Sequence, residues 1–208
     1  MGTPERLSDT AVRILDVAER LVQTRGFSRF SYADIATEVG VTKAALHYHF
    51  ASKAELGDAL IIRYAERFAD ALRGIEQDTE SAPARLDAYV ELYADVLSGK
   101  RMCLCGMLAA EFETLPASMR DAVVAFFDAN VEWLADVVER GRDQGTLTLT
   151  GPPRHVARLI LGGLQGAMLV ARSYGDLGLF RESISQLLAT LAPPRTTTAK
   201  RRSAPVAR

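Results

Sequence analysis

Lys43, His47 and Tyr48 carry the side chains whose types and spacing best suit a chemical task. Lys43 and His47 stand four apart and share one stripe of a helix, and Ala44 and Tyr48 share the next. An ammonium, an imidazole and a phenol on one exposed face suit hydrogen bonds to phosphates and base edges. The small residues Ala44 and Ala45 let the start of such a helix come close to bases. Taken singly, each of these side chains would serve as part of a solvated face. Their joint placement points to DNA once the surrounding elements are read.

Those elements lie between Ser31 and Leu56, SYADIATEVGVTKAALHYHFASKAEL. Ile35, Ala36, Val39, Val41 and Leu46 are apolar or small where two crossing helices must pack. Gly40 falls where a left-handed residue turns the chain. Ser31 caps the first helix and Thr42 the second. Leu46 and Phe50, four apart, both face the core. Helix, turn, helix in that order is a helix-turn-helix, whose second helix enters the major groove. Ser52-Lys53-Ala54-Glu55 then has the form of a capping box opening the next helix. There Lys53 and the free backbone N–H groups suit a DNA phosphate; the plainer reading is a surface lysine beside an ordinary cap. His49 is open between packing and phosphate contact.

The run from Gly26 to Leu56 resembles the DNA-binding domain of TetR/AcrR-family transcriptional regulators. The likeness is strongest in IA-x-E-VGV-x-K and L-x-YHF-x-SK-x-x-L. Phe30 stands where the family often has threonine, leaving Ser31 as the helix-start contact. His47 stands where many members carry a phosphate-touching tyrosine, and histidine titrates near neutral pH. The resemblance implies a homodimer on a palindromic double-stranded operator, repression by default, and release by a small-molecule inducer.

Composition sets looser bounds. The chain has 208 residues, nearly half apolar, and a formal net charge of −1. Many DNA binders are basic overall, and here cations and acids balance even over 1–55, so any positive face must be local. No apolar run approaches the roughly 18 residues of a membrane span. The start of the chain lacks a basic-then-apolar signal, so a cytoplasmic protein is expected. Residues 193–208 hold Arg195, Lys200, Arg201, Arg202 and Arg208 against no acid. They read as a basic disordered tail, either solubilising or a salt-dependent nucleic-acid contact.

Apolar periodicity predicts an all-α fold of about nine helices. A three-helix helix-turn-helix domain over 1–52 is followed by a helical ligand-binding and dimerisation domain over 53–192. The first helix runs from Ser8 or Asp9 to about Arg25, and the helix from Lys53 continues toward Gly74. A linker over Asp78–Pro83 leads to a helix carrying Tyr89 and Tyr93, then an apolar helix from about Cys103 to Thr114. Pro116 opens a long helix to about Arg142, Pro152 and Pro153 open the next, and a last helix ends near Leu191.

In LILGGLQGAMLVAR, Gly162 and Gly166 stand four apart, as do Gly163 and Ala167. Helix-interior glycine costs about 1 kcal/mol relative to alanine, which close approach of another helix offsets. Either tight packing within one subunit or a dimer face would explain it. The family resemblance implies a four-helix dimer interface here that also takes in Leu187 from the last helix. It further implies an inducer pocket, for which Tyr89, Tyr93, Cys103, Met107, Phe112, Phe126, Trp133, Gln165 and Met168 are candidates. Each would serve equally as core.

Cys103 and Cys105, two apart on a helix, point to nearly opposite sides and would not share a metal or a disulfide. They read as inert buried thiols, or as an electrophile sensor activated by Lys100 and Arg101 at the helix start. No metal, cofactor or enzymatic role is expected: phosphate-binding glycine loop, HExxH and nucleophile elbow are all missing. A helical interaction module without DNA is the remaining alternative, and it leaves the Lys43/His47/Tyr48 face unexplained.

Overall fold

The computed structural model describes residues 8–193, so the basic tail lies almost wholly outside the described residues. Within them the chain is all helix. The order is α1 (Asp9–Arg25), a 3-10 turn (Phe27–Arg29), α2 (Tyr32–Val39), α3 (Lys43–His49), α4 (Lys53–Asp78) and α5 (Ala82–Ser98). After these come α6 (Leu104–Ala110), a second 3-10 turn (Phe112–Thr114), α7 (Ala117–Asp143), α8 (Pro153–Tyr174) and α9 (Leu177–Ala189).

Local chemistry explains most boundaries. Ser8, Ser31, Thr42, Ser52 and Ser81 each accept a backbone N–H from the first turn of the helix that follows. The Ser31 cap is a reciprocal box, because Asp34 accepts the Ser31 N–H at 2.7 Å. At Ser52 the box is incomplete: Glu55 reaches past Ser52 to the Ala51 N–H at 3.1 Å.

Three boundaries differ from the sequence expectation. Helix α4 passes through Gly74 to Asp78, since Ile75 is buried one residue later and keeps the helix on the core. The linker shrinks to Thr79–Ser81, and Pro83 sits inside the first turn of α5, where its missing N–H costs nothing. The apolar helix is shorter: Cys103 is its cap residue, and it yields to a 3-10 turn after Ala110.

Helices α1–α3 pack together around Ile14, Leu15, Ala18, Ile35 and Leu46, all fully buried. Helix α4 leaves this cluster and packs on α7 and α5, while α7, α8 and α9 pack in series. One continuous core joins both halves. Among the described residues no helix is long and apolar enough to cross a membrane.

Candidate nucleic-acid interface

The turn between α2 and α3 depends on Gly40, whose φ of +77° is left-handed. Its N–H and that of Val41 both close on the Ala36 carbonyl at 3.0 Å. Thr42 then starts α3, its hydroxyl accepting the Ala45 N–H at 3.1 Å. Leu46 (0% exposed) and Phe50 (4%) anchor α3 from below. On the other side Lys43, Ala44, His47 and Tyr48 face solvent, with Ala45 half-buried at the margin. Tyr48 is 87% exposed, a large ring with no protein surface to cover it.

His47 is held. Its Nδ1 lies 3.2 Å from the Ala51 carbonyl, an acceptor only, so Nδ1 donates and Nε2 is left for an outside partner. The ring rests on Tyr32, centroids 4.7 Å apart, and the Tyr32 hydroxyl donates to the Phe50 carbonyl at 2.9 Å. Burial, with Glu55 adding to it, pushes the Tyr32 phenol up to about 12, so it stays a neutral donor. His49 is half-buried with its ring set edgewise to Tyr48. Ser31 faces solvent, and its hydroxyl is committed to Asp34, whose carboxyl those bonds hold below the usual range.

Lys53 departs from expectation. Its ammonium turns inward, donates to the Phe30 carbonyl at 2.6 Å, and lies over the rings of Phe27 and Phe30. Desolvation lowers its pKa, with Glu111 and Asp34 opposing the shift. In this conformation what α4 offers to an outside anion is its backbone N–H groups, not the Lys53 charge. The reason lies in Phe30, whose ring supplies a cation–π partner that a threonine there would not.

The candidate pocket residues fall into separate groups. Tyr89, Tyr93, Phe126 and Trp133 join Tyr64 and Phe68 in one aromatic cluster. Its polar atoms are paired: the Tyr89 hydroxyl meets Tyr93 at 3.1 Å and donates to Asn130 at 2.7 Å. Cys103 lies beneath the cluster with the Tyr64 hydroxyl 3.7 Å from its sulfur, and Met168 is fully buried. Gln165 packs on Gly106, where a Cβ would meet its Oε1 at 2.3 Å, and its Nε2 is buried without a partner. Met107 and Phe112 are half-buried, Met107 beside Arg172. A groove of about 330 Å³ between α4 and α7 is lined by Ile61, Ala65, Phe68, Ala122 and Phe126. Of the candidates only Phe126 lines it; the others are core or belong to other contacts.

The glycine face of α8 also divides. Ala167 is buried and Gly163 half-buried, and a Cβ at Gly163 would meet Leu187 at 2.6 Å, so Gly163 and Leu187 pack α8 on α9 within the chain. Gly162 and Gly166 look outward with nothing within 4 Å. Beside them Leu159, Leu169, Val170 and Tyr174 are 60%, 60%, 54% and 75% exposed.

The comparisons with known proteins bear directly on this arrangement. Residues 14–60 match the family model for bacterial regulatory proteins of the tetR family, and 82–187 that for a tetracyclin repressor-like C-terminal domain. The chain belongs to the TetR family. It is a TetR-family transcriptional regulator with a helix-turn-helix DNA-binding domain. A TetR-family regulator of Agrobacterium tumefaciens has 33% identity and a TM-score of 0.85, covering 88% of this chain and 97% of that one. The transcriptional repressor NemR of Escherichia coli is 26% identical over 194 residues, 88% of this chain and 96% of NemR. The regulator TtgR of Pseudomonas putida is 38% identical over 81 residues, so the chain spans about two fifths (39%) of that relative.

Proposed function

We propose that the protein is a homodimeric repressor of a palindromic operator, released by a small-molecule inducer. The observation that supports it is the bare apolar stripe Leu159–Gly162–Gly166–Leu169–Tyr174 on α8, which runs beside Gly163, where Leu187 of α9 packs. Exposed apolar continuity of this kind marks a protein contact. Two copies joined there would present two α3 helices, for half-sites about 34–36 Å apart. Tyr48, Lys43 and His47 Nε2 make the DNA contacts, with Ser31, Thr42, Ala44 and Ala45 at the margin and α4 backbone N–H groups on phosphate. An apolar inducer would enter the α4–α7 groove beside Phe68 and Phe126. It would repack α4 and so shift the population of DNA-competent dimers, to the extent that it binds the incompetent state more tightly.

Lys43 tests the interface quantitatively. Lys43→Ala should weaken binding across all sequences and reduce the salt slope of log K by about one. Titration of one duplex at several salt concentrations measures it; an unchanged slope removes Lys43 from the interface.

The electrophile-sensing alternative finds less support. Both thiols are 0% exposed, and burial pushes the Cys105 thiol far up, disfavouring the reactive thiolate. A mild thiol-reactive electrophile should therefore leave DNA affinity unchanged, with labelling of Cys103 and Cys105 only as fast as the protein opens. Rapid labelling with loss of DNA binding, abolished in Cys103→Ser, would restore the sensor.

A further inference from the structure

The last turn of α1 is completed by residues far along the chain. Of its final carbonyls, Val22 accepts the Gly26 N–H at 2.9 Å, as an ordinary helix end allows. The next two have no local donor. Gln23 accepts the Met102 N–H at 3.1 Å, and Thr24 accepts Arg172 Nη2 at 2.6 Å. Four residues after Thr24 the polarity reverses. The Ser28 N–H donates to Glu111 Oε2 at 2.8 Å, and the Ser28 hydroxyl donates to the same oxygen.

Between these contacts lies Gly26, with φ +95° and its Cα against the Glu111 carboxylate: a Cβ there would stand 2.2 Å from Oε1. Only glycine meets both conditions. A guanidinium thus sits on the negative end of α1, and a carboxylate sits on the N–H of the turn that follows, each matched to the local backbone dipole. Arg172 comes from α8, the helix with the bare apolar stripe, and Glu111 from the link between α6 and the second 3-10 turn.

We infer that Glu111 and Arg172 are positioning residues for DNA binding: together they clamp the α1–3-10 junction and set the angle at which each subunit presents α3. This rests on the dimeric DNA-binding reading above. The clamp gives the ligand-binding half a hold on the reader that is separate from α4. Arg172 ties that hold to α8, so subunit pairing and reader angle are mechanically linked.

The experiment compares wild type with Glu111→Ala, Arg172→Met and the conservative Arg172→Lys. Each is titrated by fluorescence anisotropy on the two-half-site duplex that wild type selects from a random pool, and on a duplex with one half-site. Amide exchange at Ser28 is followed in parallel. A positioning role predicts about tenfold weaker binding to the paired site, single-site affinity within about twofold, and recovery in Arg172→Lys. It also predicts faster Ser28 exchange in Arg172→Met, although Arg172 is not the partner of that N–H. Equal losses on both duplexes, or no loss on either, would overturn the inference. Should wild type show no preference for the paired site, the dimeric reading fails instead. Ser28 exchange in Arg172→Met then decides the clamp: faster exchange upholds it and unchanged exchange refutes it.

Discussion

Leu169→Glu combined with Val170→Glu should convert the protein to monomers and lower its operator affinity at least a hundredfold. Both residues are more than half exposed on α8, flanking Gly166, which has no neighbour within 4 Å. In the single chain the substitutions meet only water, so folding stability should move by no more than about 0.5 kcal/mol. In a dimer the same positions are covered by a second copy, and the new carboxylates are buried without partners, which strongly opposes association. The affinity loss follows from geometry. A dimer holding one half-site presents its second reader at high effective concentration, an advantage of about 10²–10⁴ that a monomer lacks. Sedimentation velocity reads the mass and anisotropy reads the affinity. A double variant that stays dimeric would remove α8 from the interface.

Leu46→Ala should be the most damaging single truncation in the reader. Helix α3 has seven residues, too few to hold in water by itself. Its position depends on the Thr42 cap, on Phe50 and on Leu46, which is 0% exposed between α1 and α2. Removing a fully buried leucine side chain costs about 2–5 kcal/mol, a large part of the 5–15 kcal/mol typical of a whole domain. Hydrogen exchange should rise across α1–α3 while the α7–α9 core stays protected, and DNA binding should fall with the reader. A change below about 1 kcal/mol in urea unfolding would show that α3 is anchored elsewhere.

What was legible in the sequence was local. Ser8, Ser31, Thr42 and Ser52 cap their helices through the neighbouring turn, whereas Ser81, which caps α5, falls inside the expected linker. The spacing of Leu46 and Phe50 fixes which face of α3 is buried. The exposure of Lys43, His47 and Tyr48 follows from that same placement. What was hidden depends on contacts distant in sequence. Lys53 turns inward because Phe30, 23 residues earlier, offers a carbonyl and a ring. Glu111 finds Ser28 across 83 residues, and Arg172 finds Thr24 across 148. The one sequence trace of that junction is Gly26, just past the expected end of the first helix near Arg25. Adjacent glycines 162 and 163 point about 100° apart on α8, one bare and one against Leu187, and spacing alone does not say which of them meets α9. The aromatic stripes of α5 and α7 have the same difficulty, since core and pocket share one periodicity.

On the proposed function, the exposed face of α3 reads DNA in pairs. Its most direct test is anisotropy of duplexes tiling the DNA upstream of the gene, with wild type beside a Lys43→Ala/Tyr48→Ala variant. Selective binding to one tile holding two half-sites about 34–36 Å apart, lost in the variant while its helical fold persists, is the expected result. Equal binding to every tile, or selective binding that survives loss of both side chains, would contradict it.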